Sequence, residues 1–461
     1  MYKRQLVNTG QISGVNNGVY FGTGDQNGGL VVNEGLISSD SRALNIDGDG
    51  LVVFNEGAII GTGDQRNGTI YSDNTASNFE IANRGLVDAG QGNDGAGVSL
   101  SLNNDGSNGE IAVFNEGTIA GRGQAAAGLA TAGDGIRLEG DRSADGVPPG
   151  VFQGQIINSG TISSDSAQGT TGGFRAVNSL SFQGELVNTG VISGVQNGVY
   201  LGTGNHADGI VVNQGTISSD SRAVNIDGEG LELVNEGAIV GTGDQRNGTV
   251  YVDGTGENFT IVNLAGLIDA GAGNDGSGIA IETGDVIGDR VDGSVFNSGS
   301  VIGQGTSSVA NQIGHGLRFI GGAGTDGTAE FTGEIINDGT ISGSADSELA
   351  AGISVEEVGL TQSIVNNGLI SGSSIAIDAS TATSSISVIN DGFIDGDVLF
   401  GSSNDVLTVN QGGSFSGAID GGAGFDTLNV NFASFDAGVE FVNSIDVSNI
   451  ERINISGQRF A

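Results

Sequence analysis

The apolar and polar positions of this chain fall into short runs. "LVVN", "ALNID" and "GVYFG" are typical: each run is four to seven residues long, its apolar residues alternate or cluster briefly, and Gly or Asp-Gly stops it. That is strand chemistry punctuated by turns. No stretch carries a 3.6-residue apolar period long enough for a helix. The pattern predicts an all-β chain of many short strands.

One motif recurs among these runs, Asn-x-Gly-x-Ile/Val. "VVNEGLIS" at 31–38 is followed by "VFNEGAII" at 53–60, "VFNEGTIA" at 113–120 and "VVNQGTIS" at 211–218. The motif Asn stands at Asn8, Asn33, Asn55, Asn83, Asn115, Asn158, Asn188, Asn213, Asn235, Asn297, Asn337, Asn366 and Asn390. Asn263 belongs too, with one residue inserted before Gly266, and Asn410 begins a degenerate copy. Above this period lies a longer one. Residues 6–82 align without a gap to 186–262, with 54 of 77 positions identical. Cycle one is 6–185, cycle two 186–363, a partial third cycle 364–420, and 421–461 forms a C-terminal end or cap. "MYKRQ" at 1–5 reads as a non-native leader on a truncated chain: it holds the only Met and the only Lys.

Short strands on a period of 20 to 43 residues, without helical partners, predict a right-handed parallel β-helix of about 15 coils, six per long repeat. A string of β-sandwiches would need strands paired across hairpins, which a coil-length period does not supply. In a β-helix the motif marks one corner per coil. Asn and Gly tolerate left-handed backbone, which would let the strand turn there. The Asn amides would stack into an inward-facing ladder, with Asn33, Asn55, Asn115, Asn213 and Asn235 as its clearest members. The Val before each Asn and the Ile after it are expected to face the core, and the middle residue to face solvent.

Composition narrows the function classes. There are 15 basic residues against 54 acidic, a net charge of −39. Nucleic acid and anionic membrane surfaces are therefore poor partners. Cys is absent, which removes disulfides, thiolate zinc sites and thiol catalysis. No apolar run reaches the roughly 20 residues of a membrane-spanning helix, so direct insertion of this segment is not expected.

Candidate chemistry is sparse. His206 and His315 have no nucleophile and orienting acid beside them, and read as surface loop residues; their cycle-one counterparts are Gln26 and Asp134. Arg42 repeats as Arg222 and Arg66 as Arg246, which suits structure better than a single active site. The chain is expected not to be an enzyme; three acids with an Arg on one face would favour a carbohydrate-active β-helix instead. No cofactor is expected apart from Ca2+. "GGAGFDTLN" at 421–429 fits the calcium nonapeptide pattern, and "FGSSNDVLT" at 400–408 is a weaker copy 21 residues earlier. Asp426 and Asp405 are the candidate metal ligands. The copies are not in tandem, so calcium is not expected to be needed for folding. The loops "AGQGNDGAG" at 89–97 and "AGAGNDGSG" at 270–278 lack the apolar residue two after Asp and read as turns. The longest spacings enclose unlike inserts, "EGDRSADGVPPGV" at 139–151 and "IGGAGTDGTAE" at 320–330. They are framed by "GIRL" at 135–138 and "GLRF" at 316–319 and by Phe152 and Phe331, and are the expected binding loops.

"GDVLFGSSNDVLTVNQGGSFSGAIDGGAGFDTLNV", with "SNIERINISG" after it, resembles the end of autotransporter passenger domains, and the upstream "VNxGxISG" coils resemble such passengers too. The resemblance implies a secreted protein displayed on the bacterial outer membrane, with a covalent continuation into a membrane β-barrel. It implies a structural rod or adhesin that binds a host or environmental receptor or glycan through loops on one edge. The alternatives are a calcium-binding repeat surface protein and a β-helix carbohydrate-active enzyme.

Overall fold

The computed structural model describes residues 5–61, 68–72, 78–90, 95–102, 110–123, 133–140, 150–167, 170–241, 248–254, 256–271, 276–283, 290–305, 314–321, 329–345, 350–432 and 446–457. Among them every regular element is a strand and none is a helix. The chain forms two compact units, residues 1–238 and 239–461. Both are parallel β-helices.

Each coil of the first unit opens with a strand that ends on the motif Asn, such as Gln5–Asn8, Glu80–Asn83 and Gln155–Asn158. We call it the ladder strand; nine of them stack in this unit. A second strand follows the motif Gly (Gln11–Gly14, Leu36–Ser39), and a third follows a second turn (Asn17–Phe21, Arg42–Ile46). Equivalent strands of successive coils pair in parallel and in register. Leu6 lies beside Val31, Ile12 beside Ile37, and Val19 beside Leu44. The register does not depend on spacing. Asn33 and Asn55 are 22 residues apart, Asn115 and Asn158 are 43 apart, and both pairs are neighbours. Extra length is taken up both between the second and third strands, as between Gly121 and Ile136, and between the third strand and the next ladder strand, as between Gly140 and Gln155.

The core is filled by columns of branched apolar residues. Val31, Val53, Ile81 and Val113 form one column, and Ile37, Ile59 and Ile119 another, all fully buried. One expectation needs correcting here. The residue immediately before each Asn faces out, as Phe54 at 41% exposure shows, and the core residue stands two positions before the Asn. Alternation along a strand demands this: with Asn33 inside, Val32 lies outside and Val31 inside. The Ile after the motif does face the core, and the middle residues Glu34, Glu56 and Glu116 are exposed as expected.

The motif Gly has a different reason from the one its corner position suggests. In the regular copies neither the motif Asn nor the motif Gly adopts left-handed backbone; Ala265, in the copy with an inserted residue, does so at φ 53°, and Gly412, in the degenerate copy, at φ 102°. What the Gly supplies is closeness. A Cβ on Gly57 would stand 2.1 Å from the carbonyl oxygen of Gly35, and one on Gly85 2.0 Å from that of Gly57. Gly10, in the first described coil, would meet nothing within 4 Å. The glycines let backbone stack on backbone.

The Asn side chains do form the inward ladder. In the first unit each amide donates its Nδ2 to the Oδ1 of the next, from Asn8 through Asn33, Asn55, Asn83, Asn115, Asn158, Asn188 and Asn213 to Asn235, at 2.7–2.8 Å. The second unit repeats this from Asn263 through Asn297, Asn337 and Asn366 to Asn390. The same Nδ2 reaches two carbonyls besides: Asn33 contacts those of Gly35 and Ala58. The backbone carbonyl of Asn33 accepts from the N–H groups of Glu56 and Gly57 in the next coil. One residue type thus satisfies the buried polar groups of the corner.

The second unit has eight ladder strands, and the last three depart from the motif. Beside Asn390 the register places Val409, then Val430 and Ile455. Asn410 is therefore one residue off the ladder; its amide instead contacts Asp391 at 3.0 Å. With nine ladder strands in one unit and eight in the other, there are two more coils than the motif marks. The extra two, around Asn429 and Asn454, carry no inward Asn.

Candidate functional site

Both histidines are buried, not on surface loops: His206 is 0% and His315 3% exposed. Each is a staple between coils. Nδ1 of His206 accepts from the Phe182 N–H at 3.1 Å, and its Nε2 lies 2.8 Å from the Gly202 carbonyl. Gln26, at the same place in cycle one, reaches the Gly22 carbonyl with its amide. His315 accepts from the Ala351 N–H, as Asp134 accepts from that of Gly172. Burial lowers the His206 pKa and brings that of His315 down to about 4, against the pull of Glu356. Both rings are thus held neutral at physiological pH. Pattern could not reveal this, because the partners are backbone groups and, for His315, Glu356 at 3.5 Å from a coil 41 residues on.

The Arg residues of "GIRL" and "GLRF" lie against acids. Arg318 forms a bidentate pair with Glu356, at 2.8 and 2.6 Å. Burial raises the Glu356 pKa, but Arg318 and His315 outweigh it and hold the carboxyl below its usual range. Arg137 sits 3.7 Å from Glu139, and Arg175 contacts Asp134 at 3.3 Å. Phe152 stacks on Phe182 with ring centres 5.5 Å apart, and Phe331 packs 4.8 Å from Phe319. These groups anchor the frames of the two long inserts. Most of each insert, with Pro148 and Pro149, lies outside the described residues, as do Arg66, Arg246 and the centres of the "GNDG" loops. Arg42 is described, its guanidinium 4.2 Å from the Tyr71 ring centre.

Asp405 and Asp426 stand immediately before the strands Val406–Val409 and Thr427–Phe432 in consecutive coils and are only 1% and 0% exposed. They form a second kind of ladder. Oδ1 of Asp405 accepts from the Ile386 N–H at 2.6 Å, Oδ1 of Asp426 accepts from the Asp405 N–H at 2.7 Å, and Glu451 accepts from the Asp426 N–H at 2.7 Å. Oδ2 of each Asp is buried with no hydrogen-bond partner. Desolvation, with the Asp426 charge adding to it, pushes the Asp405 carboxyl up to about 6. Calcium takes six to eight oxygens. Among the described residues no three acids or histidines converge on a metal position, and two free carboxylate oxygens do not make such a shell.

One plate of the second unit does gather three acids with an Arg. Arg290, Asp292 and Ser294 alternate outward on one coil, and Glu330, Thr332 and Glu334 on the next, with Val291, Phe331 and Ile335 facing in. Arg290 contacts Asp292 at 3.1 Å and Thr332 at 3.3 Å. Asp292 is half-exposed, and Glu330 and Glu334 are exposed. The plate borders an open depression of about 460 Å3. Spacing did not flag these residues, because they come together only once the coils are stacked.

Comparison of the chain with family models, with curated proteins and with solved structures finds no match.

Proposed function

We propose that this chain is a non-enzymatic structural or adhesive surface protein, exported and displayed in the manner of an autotransporter passenger. The observation that carries the proposal is where the polar chemistry goes. The amide ladders, both histidines, Arg318 with Glu356 and Asp405 with Asp426 are all turned toward neighbouring coils. What remains for function is the outer surface of a scaffold whose coils bond mainly to their neighbours, a design that folds progressively from one end. Lack of Cys suits passage across a membrane before folding.

A catalytic reading of the Asp292–Glu330–Glu334 plate is weaker. Glycoside hydrolysis asks for one carboxyl shielded from water so that it stays protonated; Glu330 and Glu334 are exposed, and Asp292 is half-exposed and paired with Arg290. The test is to fuse the chain to an outer-membrane β-barrel and probe intact cells. Protease-accessible, β-folded chain with no turnover of polysaccharide substrates is expected. Retention inside the cell, or release of reducing sugar by the purified chain, would overturn the proposal.

A further inference from the structure

The depression beside that plate has the features of a binding groove. It is lined by Asn258, Asp292, Ser294, Thr332, Glu334 and Gln362, which come from four successive coils. Its floor is backbone. A Cβ on Gly333 would stand 1.0 Å from the Gly293 carbonyl oxygen, and one on Gly293 would meet the Phe259 ring at 2.4 Å. These two glycines let the coils sink here, and the polar side chains on either side become walls. The groove volume lies in the range of small-molecule sites, about 300–1,000 Å3. The first unit lacks the same floor: Ile111 stands where Gly293 does, and Gln155 where Glu334 does.

Resting on the adhesive reading above, we propose that this groove binds a neutral or amino-substituted oligosaccharide lying across the stacked coils. Three features select that class. The walls offer carboxylates, amides and hydroxyls in alternation, which matches a ligand whose hydroxyls both donate and accept. Among the described residues no large apolar side chain lines the groove exposed, which disfavours an apolar peptide. The charge excludes anionic glycans: Asp292, Glu330 and Glu334 outnumber Arg290, and Arg290 is already engaged by Asp292. An ammonium group on the sugar would find Glu334, which is exposed.

The test titrates the whole chain with chitosan trimer, N-acetylchitotriose and maltotriose, and with a galacturonic acid trimer as the anionic probe. Ser294→Trp would fill the groove from a half-exposed position, and Ala112→Trp at the equivalent place of the first unit is the control. Glu334→Gln serves as a second variant should Ser294→Trp melt early. Binding of at least one neutral or amino trimer is expected, weakened at least tenfold by Ser294→Trp or Glu334→Gln and unchanged by Ala112→Trp, with no binding of the galacturonate. Failure of all three neutral and amino trimers, or binding that ignores both groove variants, overturns the proposal. Preference for the galacturonate overturns it as well. Surface display is measured separately, so a displayed chain that binds none of these sugars sinks the groove and leaves the passenger reading standing.

Discussion

Within the second unit, the coils from Asn263 to Asn390 and the coils from Val406 onward solve the same problem in opposite ways. In the first group the inward corner residue is Asn and the outward neighbour is apolar: Val262, Phe296, Ile336, Val365 and Ile389. In the second group the inward position is held by Val409 and Val430, and the register carries it on to Ile455, which is 58% exposed in the last described strand; the outward position is Thr408, Asn429 and Asn454. The polar ladder has moved outside, where Asn454 donates to Asn429 at 2.8 Å and Asn429 to Thr408 at 3.2 Å. What polar stacking stays inside is built from Asp405 and Asp426. An amide both donates and accepts, so identical Asn residues complete one another along a stack of any length. A carboxylate only accepts, so stacked Asp residues must borrow backbone N–H groups, and each strands an oxygen. The amide ladder is neutral at every pH, whereas the carboxylate ladder is not.

The strongest way to break the amide-laddered coils is to push them apart. Gly85→Ala would drive a methyl into the Gly57 carbonyl, and a loss of about 3 kcal/mol or more is expected from equilibrium denaturation. Gly10→Ala, with open space around it, should be nearly silent; equal losses at the two sites would show that the glycines serve conformation and not contact. Cutting the ladder is the next largest effect. Asn337→Ala removes the acceptor of Asn297 and the donor to Asn366, and should cost about 1–3 kcal/mol. An unchanged midpoint would mean that the amide is not needed inside.

The terminal coils should respond to pH in the reverse sense to those around His315. Asp405 has a raised pKa, near 6 folded against 3.8, so the folded state holds its proton more tightly. Its destabilising charge is fully present above pH 6 and is relieved as pH falls toward 4. His315 is lowered to about 4 from 6.5, so its contribution is full above pH 6.5 and is lost as pH falls toward 4. Asp405→Asn should stabilise the terminal coils at pH 7 by about 1 kcal/mol and remove their gain on acidification, as followed by hydrogen exchange at Val406–Val409. A gain that persists in Asp405→Asn would assign it to another group. Adding calcium or a chelator should leave the exchange unchanged, since two free oxygens per pair do not complete its shell.

Much of this was legible in the sequence, and the limits have physical causes. Strand type, coil period and the Asn ladder follow from a motif that recurs in the same order in each cycle. The facing of Val32 was within reach too, because an inward Asn33 fixes it by alternation. The role of Gly57 was not: turn chemistry and close stacking both ask for glycine, and only the distance to the Gly35 carbonyl separates them. His206 was misplaced because its staple is to backbone groups, and His315 because its side-chain neighbour Glu356 lies 41 residues away and meets it only once the coils stack. The coils around Asn429 and Asn454 were missed because the motif had turned inside out. The groove over Gly293 and Gly333 depends on residues 40 apart coming into register, which no local pattern records.

The most direct test of the amide ladder is Asn188→Asp, a change of one atom in a buried, fully bonded position. Asn188 accepts from Asn158 and donates to Asn213, both within 2.8 Å. A carboxylate there can keep the first bond but must face the Asn213 oxygen with an oxygen. The melting midpoint of the variant, measured beside the parent from pH 7 to pH 3, should lie far below it at pH 7, and the gap should narrow as the new carboxyl takes up a proton and regains a donor. A gap that stays constant across that range, or no gap at pH 7, would contradict an inward ladder held by amide donors.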